Sequence, residues 1–373
     1  MPALDAIANE KIARIAANNR VRRTVDTIRA AQGAAHRGDQ NLVSFSCNDY
    51  LGLSQHAEVK QAAQDAIAAY GTGAGASRMI TGNNPLYTVL ESALAAHHSQ
   101  QDACVFGSGY LANIGVIPAL VGTKDLVIAD KLVHASILDG IQLSGAKLRR
   151  FSHNNAEDCS RLLETYRSQY RHCLVITETI FSMDGDCAPL NSLRKLCNKH
   201  DAWLMTDSAH SIGQKLTVSP DVTIGTLSKT LGAYGGYVCA SRAVIEYIKT
   251  SARSLIFTTA LPPAILASAI KALEIIAHEP DLCEKPLLYA QHFTKTLSLP
   301  LAESAIVPLL MPDEMATLKA AQILENKGFL VGAIRPPTVP INGCRLRFTF
   351  NAMHKKNDIT NLIESIKDEC ISS

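Results

Sequence analysis

The segment from 202 to 229 reads AWLMTDSAHSIGQKLTVSPDVTIGTLSK and decides the fold class. It opens with an apolar run that ends on Asp207, and a second strand-like run at 222–226 leads to Lys229. Short apolar runs without alternation are typical of parallel strands that helices cover on both faces. The segment therefore predicts two buried strands, one followed by a carboxylate and the other by a lysine.

A carboxylate and a lysine at the ends of two buried strands suit pyridoxal phosphate (PLP) chemistry. The lysine forms a Schiff base with the cofactor, and the carboxylate holds a proton on the pyridine nitrogen so that the ring accepts electrons. An isolated Asp and Lys would more simply be surface residues of two loops. Here the functional interpretation is favoured, because small residues near the lysine let a ligand approach the backbone: Gly225, Thr226, Ser228, Gly232, Gly235 and Gly236.

Three motifs resemble, in this order, those of the α-oxoamine synthases: SCNDYLGL at 46–53, DSAH at 207–210 and GTLSK at 225–229. Members of that family are PLP enzymes of the aspartate-aminotransferase fold, and they join an amino acid to an acyl thioester with loss of CO2. The segment IRPPTVP at 334–340 most resembles the members that condense L-alanine with a pimeloyl thioester. The resemblance covers nearly the whole chain.

The composition indicates a folded protein with a sizeable core. Of 373 residues, 47% are hydrophobic and 19% are charged, which argues against disorder. The net charge of +2 gives no reason to expect nucleic acid as a partner. There is no signal-peptide pattern and no apolar run of about 18 residues, so no membrane association is expected. Ten cysteines without metal-ligand spacing predict reduced thiols in a cytoplasmic protein and no metal site.

Alternating strand and helix patterns predict an α/β protein of two domains. They predict a large PLP-binding domain over 46–270 with a mostly parallel sheet, and a smaller α+β domain over 271–373. Before these, apolar residues at helical spacing predict an amphipathic helix over 4–28 within an N-terminal helical segment, 1–45: Leu4, Ile7, Ile12 and Ile15. By the resemblance, the fold is that of the PLP-dependent transferases of fold type I.

A phosphate site is predicted at the strand-to-helix junction FGSGY, 106–110. The first N–H groups of a helix attract an anion, so Gly109 and Tyr110 are predicted to contact the cofactor phosphate and ring. Ser228 is a further candidate for the phosphate. The resemblance adds two cofactor contacts, Ser182 and Thr226.

Two histidines complete the predicted cofactor site. By the resemblance, His134 in the motif HAS at 134–136 stacks on the PLP ring and contacts the substrate, which leaves the opposite ring face to Lys229. His210 corresponds to the histidine that bonds the 3′-oxygen of PLP. Together with Asp207 and Lys229 they are the predicted catalytic residues. The sequence does not fix the tautomer of either histidine.

Two arginines are candidates for binding the substrate carboxylate. Arg345 and Arg347 are two residues apart on a predicted strand, so both face the same side. A guanidinium offers a carboxylate two parallel donors. The resemblance assigns the contact to Arg347, with Arg345 as the alternative. It also places three residues near the acyl substrate: Arg22, Asn48 and Thr338.

The implied reaction joins L-alanine to a pimeloyl group carried by coenzyme A or by an acyl carrier protein, in a homodimer. One alternative is another α-oxoamine synthase that uses glycine or serine with a different acyl thioester. A second is a silent relative that acts as a regulatory subunit, which the presence of Lys229 disfavours. The sequence departs from the family pattern at Ser208, where an acidic residue is usual, and in a short 210–221 segment.

Overall fold

The computed structural model describes residues 3–214 and 218–368. In chain order its helices are α1 (Leu4–Ala16), α2 (Ala57–Tyr70), α3 (Leu86–His97), α4 (Gly109–Leu120), α5 (Ala135–Ser144), α6 (Ala156–Tyr166), α7 (Leu190–Lys199), α8 (Arg242–Ser251), α9 (Arg253–Ile256), α10 (Pro263–His278), α11 (Pro280–Thr296), α12 (Glu314–Asn326) and α13 (Lys356–Ile366). The strands are β1 (Ile28–Arg29), β2 (Ala34–Arg37), β3 (Gln40–Ser44), β4 (Asp102–Phe106), β5 (Leu126–Asp130), β6 (Lys147–Phe151), β7 (Cys173–Glu178), β8 (Trp203–Asp207), β9 (Val222–Thr226), β10 (Gly236–Ala240), β11 (Ile306–Leu310), β12 (Phe329–Leu330), β13 (Gly332–Ile334) and β14 (Arg345–Thr349).

The chain divides into two compact units. The large unit consists of Leu51–Ser182 and Asp186–Cys283, and the small unit of Met1–Tyr50, Met183–Gly185 and Glu284–Ser373. This division differs from the predicted boundaries at 45 and 270, because the N-terminal residues belong to the small unit. The pairing of strands explains why: β3 near the N-terminus runs parallel to β12 near the C-terminus.

In the described residues, the large unit is built on a seven-stranded sheet in the order β4-β10-β9-β8-β7-β5-β6. Strand β10 is antiparallel to both its neighbours, and the other pairs are parallel. The predicted fold class, an α/β protein with a mostly parallel sheet, is confirmed.

Helices cover this sheet on both faces, as its apolar strands predict. Val127 and Leu174 belong to one apolar cluster with residues of α4, α5 and α8. Their neighbours along the strands, Ile128 and Val175, belong to a second cluster with residues of α6 and α7. Each such side chain contributes about 1.5–3 kcal/mol when fully buried, so the two clusters hold the sheet rigidly.

The carboxyl edge of the large sheet collects polar residues. Asp130, Glu178, Asp207 and Thr226 are the last residues of β5, β7, β8 and β9. In open α/β sheets, ligands bind outside the carboxyl ends of the parallel strands. We call this edge, together with the turns that follow the strands, the carboxyl edge.

The small unit has its own core. Its strands form one sheet in the order β1-β2-β3-β12 and another in the order β11-β14-β13. Phe45, Phe293, Phe348 and Phe350 pack in its apolar cluster, with ring centroids 5.0–5.7 Å apart in the contacting pairs. Strand β14 is buried along its whole length, which fixes the side chains of Arg345 and Arg347 on a rigid element.

The predicted N-terminal helix is wrong in length. Helix α1 ends at Ala16 rather than near 28, and none of its residues is buried. Asn19 follows with φ 53°, a left-handed conformation that ends a right-handed helix. Arg22 therefore lies in a segment without regular secondary structure instead of on a helix. No helix in the described ranges, 3–214 and 218–368, is long and apolar enough to cross a membrane.

Candidate active site

Lys229 and His210 lie in contact at the carboxyl edge of the large unit. Lys229 Nζ is 2.7 Å from Nε2 of His210 and donates to it. The turn that carries the lysine closes through a hydrogen bond from Gly232 N to Lys229 O, 2.9 Å. Gly232 has φ +62°, and a Cβ there would lie 2.3 Å from the backbone nitrogen of Ser54, so only glycine fits this turn.

Asp207 is held by a donor at each carboxylate oxygen. Its Oδ1 accepts a hydrogen bond from Ala209 N at 3.0 Å, and its Oδ2 accepts one from Asn113 Nδ2 at 2.9 Å. The residue is buried, with 7% of its surface exposed. A buried carboxylate that is oriented in this way is suited to hold a proton on a neighbouring base.

The predicted phosphate site lies at the start of α4. Ser108 is the N-cap, and its Oγ accepts from Leu111 N at 3.1 Å. A Cβ on Gly109 would meet only ordinary contacts, the nearest at 3.5 Å from Thr226. Packing within the protein therefore leaves room above the backbone of Gly109, where the first N–H groups of the helix could bind an anion.

Thr226 and Ser228 form the side of this site. Thr226 Oγ1 donates to the carbonyl oxygen of Gly235 at 2.7 Å and accepts from Ser228 N at 3.2 Å. Its Oγ1 also lies 2.8 Å from Ser228 Oγ, which must donate because the Thr226 proton is already used. Tyr110, also predicted to contact the cofactor, is exposed, and its hydroxyl donates to Asp139 on α5.

Glu178 is a site residue that the sequence reasoning missed. It pairs in register with Asp207 across β7 and β8 and is 4% exposed. Burial, and after it the charge of Asp207, together raise the pKa of Glu178 to about 8, against the opposing charge of Lys229. Its Oε2 accepts from Ser182 N at 3.3 Å. The signal in the sequence was an acidic residue that ends an otherwise apolar strand.

His153 was also missed, and it joins two turns of the carboxyl edge. Its Nδ1 is 3.0 Å from Asp130 Oδ1, four residues before His134, and its Nε2 is 2.8 Å from Asp186 Oδ2, four residues after Ser182. Burial opposes the charge of His153, but the hydrogen bonds and charges of the two carboxylates outweigh it and raise the pKa to about 10. The imidazolium thus ties together turns that carry two predicted cofactor contacts.

Replacing His153 with Asn should lower the free energy of unfolding in a pH-dependent way. The folded-state pKa of about 10 lies above the ordinary value of 6.5, so the stabilisation is fully present below pH 6.5 and is lost as the pH rises to about 10. Urea unfolding of both proteins from pH 6.5 to 10 should show their difference shrinking. A difference that stays constant over this range would contradict the assignment. His278→Asn, an exposed control, should show no such trend.

In the small unit, Arg347 contacts one predicted substrate residue, Asn48, and Arg345 contacts none of them. Arg347 Nη1 donates to Asn48 Oδ1 at 3.1 Å, and its guanidinium also hydrogen-bonds Tyr50. Arg345 instead forms an ion pair with Asp184. Since the charge of Arg345 is already balanced by a carboxylate, the geometry favours Arg347 for binding a substrate carboxylate.

Arg22 and Thr338 were predicted to lie near the same acyl substrate, and they are in contact within the small unit. Arg22 Nη2 donates to Thr338 Oγ1 at 2.8 Å, across 316 positions of sequence. Both residues are exposed, which leaves them accessible to a ligand. Groups of His, Cys, Asp and Glu suited to a metal ion do not occur in the part of the chain that the structure describes.

Comparison with known proteins gives a consistent result. The family model for aminotransferase class I and II matches residues 40–366. The 8-amino-7-oxononanoate synthase of Methylocella silvestris is 50% identical over 342 residues, covering 89% of this chain and 98% of that protein. The enzyme of the same name from Methylorubrum populi is 48% identical over 369 residues, covering 98% of this chain and 95% of that protein.

Solved structures also match along almost the whole chain. A serine palmitoyltransferase from S. paucimobilis, with PLP and myriocin bound, has a TM-score of 0.91 and 28% identity, covering 98% of both chains. The 8-amino-7-oxononanoate synthase of Francisella tularensis has a TM-score of 0.75 and 27% identity, covering 89% of this chain and 98% of that one. The chain therefore belongs to the aminotransferase class I and II family and, within it, to the family of the 8-amino-7-oxononanoate synthases.

Proposed function

We propose that this protein condenses L-alanine with a pimeloyl thioester to form 8-amino-7-oxononanoate, a step of biotin biosynthesis, with release of CO2 and the free thiol. The observation that carries the proposal is the contact of Lys229, in the turn after β9, with His210, in the turn after β8, which itself ends at Asp207. Relatives named for this reaction and 48–50% identical support the same substrates.

The cofactor is PLP, and the residues at the carboxyl edge fit it. When bound, PLP supplies an electron sink for negative charge at the α-carbon of the amino acid. Asp207 would hold the proton on the ring nitrogen of PLP, and His210 would hydrogen-bond the 3′-oxygen of PLP. His134 would cover one face of the PLP ring. The phosphate and the remaining polar groups of PLP would contact Gly109, Tyr110, Ser182, Thr226 and Ser228.

The protein's own part in the reaction is proton transfer and orientation. Lys229 Nζ removes the α-proton of alanine and later returns a proton to the same carbon. His210, at 2.7 Å from Nζ, accepts a hydrogen bond that directs the amine. Glu178, whose pKa of about 8 keeps it largely protonated at neutral pH, adds no second negative charge beside Asp207.

Arg347 binds the carboxylate of alanine in this proposal. Replacing it with alanine should weaken L-alanine binding about ten- to a hundred-fold, the size expected for the loss of one charge-assisted hydrogen bond worth about 1.5–3 kcal/mol. Lysine should recover only part of the loss, because it lacks the planar fork. A titration with L-alanine, followed by the absorbance of the bound cofactor, measures the dissociation constant.

The control for this titration is Arg37→Ala, which breaks an ion pair with Glu325 elsewhere in the small unit. It should leave the dissociation constant for alanine unchanged. If Arg347→Ala also left it unchanged, the carboxylate contact would belong to another residue, with Arg345 the first candidate.

The competing function is condensation of serine or glycine with another acyl thioester. The structural match to serine palmitoyltransferase is the observation that favours it. Steady-state assays with alanine, glycine and serine, each with pimeloyl and palmitoyl thioesters, separate the two. The proposed function requires the highest kcat/KM for alanine with pimeloyl thioester, and a preference for serine with palmitoyl thioester would replace it.

Two further parts of the proposed function are the carrier that delivers the pimeloyl group and the number of chains in the assembly. Coenzyme A and acyl carrier protein both deliver a pimeloyl thioester, and parallel assays with each decide which is used. We expect a homodimer, because large apolar side chains are exposed in and near α2: Ile67, Tyr70, Met79 and Ile80. Sedimentation equilibrium should give twice the chain mass of 40.2 kDa.

A further inference from the structure

Four side chains of the large unit form a continuous chain of hydrogen bonds. Asn113 on α4 lies at its centre, with Nδ2 at 2.9 Å from Asp207 Oδ2 and at 3.0 Å from Ser136 Oγ. Ser136 Oγ in turn is 2.7 Å from His134 Nδ1. The chain therefore runs from the carboxylate predicted to meet the cofactor nitrogen to the imidazole predicted to cover the cofactor ring.

The direction of each hydrogen bond in this chain follows from its carboxylate end. An amide oxygen placed 2.9 Å from Asp207 Oδ2 would repel it, so the NH2 group of Asn113 must face the carboxylate. The second hydrogen of this NH2 group points to Ser136 Oγ. The Ser136 hydroxyl accepts there and so has its own proton available for His134 Nδ1.

His134 Nδ1 receives a second donor. The backbone N–H of Ser136 also points to this nitrogen, at 3.2 Å. A ring nitrogen that faces two donors must offer its lone pair, so Nδ1 carries no proton. Desolvation lowers the pKa of His134 below its ordinary value, and Lys229 lowers it further against Asp207 and Asp139. The ring is then neutral, with its proton on Nε2.

We propose that Asn113 is a positioning residue, whose amide NH2 group orients the Asp207 carboxylate and, through Ser136, fixes His134 as the Nε2–H tautomer. In the context of the proposed function, on which this consequence rests, His134 offers a substrate oxygen an N–H donor rather than a lone pair. The amide of Asn113 thereby orients both Asp207, at the edge of the cofactor ring, and His134, on the face of that ring.

Stability alone does not explain an amide at this position. Asn113 is 1% exposed within a helix whose other buried residues are apolar or glycine. Its Oδ1 is buried and has no hydrogen-bond partner among the described side chains and backbone. An unsatisfied buried carbonyl lowers stability, and an apolar side chain would avoid that loss. The NH2 group is the part of the residue that the site uses.

Nitrogen-15 NMR of the holoenzyme, with labelled histidine, tests the proposal directly. The His134 signals, assigned by their absence in His134→Gln, should show a protonated Nε2 and an unprotonated Nδ1 near pH 7.5. A protonated Nδ1 in the wild type, alone or as imidazolium, would overturn the proposal. This result does not depend on which substrates the enzyme uses, so it is separate from the test of the proposed function.

Variants test the role of Asn113 as the origin of the tautomer. Asn113→Leu and Ser136→Ala should each give a mixture of His134 tautomers, and the double variant should show no additional effect. Ser144→Ala, on the same helix as Ser136, is the control and should leave Nε2 of His134 protonated. Asn113→Leu should also lower kcat about 10- to 100-fold, as expected for losing a hydrogen bond to a charged group, with cofactor retained. An unaltered His134 tautomer and an unaltered kcat in folded Asn113→Leu would refute the positioning role. If Asn113→Leu does not fold, the tautomer in Ser136→Ala gives the same test.

Discussion

Replacing Lys229 with alanine should abolish turnover. In the proposed function this amine both attaches to the cofactor and moves the α-proton of alanine, and its contact with His210 at 2.7 Å fixes its direction. General acid–base catalysis alone typically contributes about 10²- to 10⁴-fold, so we expect a loss of at least about 10⁴-fold when both roles are removed. The variant should still bind PLP non-covalently.

Borohydride reduction and peptide mass mapping check the Lys229 assignment. In the wild-type enzyme, the reduced cofactor should be found on the peptide that contains Lys229. Lys195→Ala, which removes an exposed lysine of α7, is the control and should retain full activity and the same labelled peptide. Label on a different lysine would overturn the site.

Replacing Asp207 with asparagine should remove most of the activity and leave the fold in place. An amide cannot stabilise a proton on the pyridine nitrogen, so the electron sink weakens. Both Asp207 oxygens also accept hydrogen bonds, from Ala209 and Asn113, and the single oxygen of an amide can replace only one of these acceptors, which leaves its NH2 group facing a donor. We expect kcat to fall about 10²- to 10³-fold, the range seen when one oriented electrostatic group is removed.

Steady-state kinetics and cofactor absorbance measure this effect. The variant should keep a bound cofactor while kcat falls, and urea unfolding should show that it is folded. Asp201→Asn, which breaks an exposed ion pair with Arg167 just before the start of β8, is a matched control with an intact Asp207. A near-normal kcat in Asp207→Asn would show that another group holds the ring proton.

The large sheet and its carboxyl edge could be predicted because the signals are local. Apolar runs mark the buried strands, and the residue that ends each run is placed at the carboxyl edge by the parallel topology. Asp207 could therefore be assigned from a few residues of sequence, and Lys229 from the short turn after the next strand. The resemblance to a family then supplied residues without a local signal of their own, such as Arg22 and Thr338.

The remaining errors and omissions have physical causes. The length of α1 was overestimated because helical periodicity continues past Ala16, whereas the left-handed conformation of Asn19 ends the helix. Asn113 and His153 were missed because their roles depend on partners far away in sequence. Asn113 contacts Asp207 across 94 positions, and nothing in its neighbourhood in the sequence predicts that contact.

Product analysis with isotopically labelled alanine tests the proposed decarboxylative condensation. The enzyme is incubated with PLP, a pimeloyl thioester and L-alanine labelled with carbon-13 at either the carboxyl carbon or the methyl carbon. We expect 8-amino-7-oxononanoate to carry the methyl label and the carboxyl label to be released as CO2. Failure to form this product with either pimeloyl carrier, or retention of the carboxyl label in it, would rule out the proposed reaction.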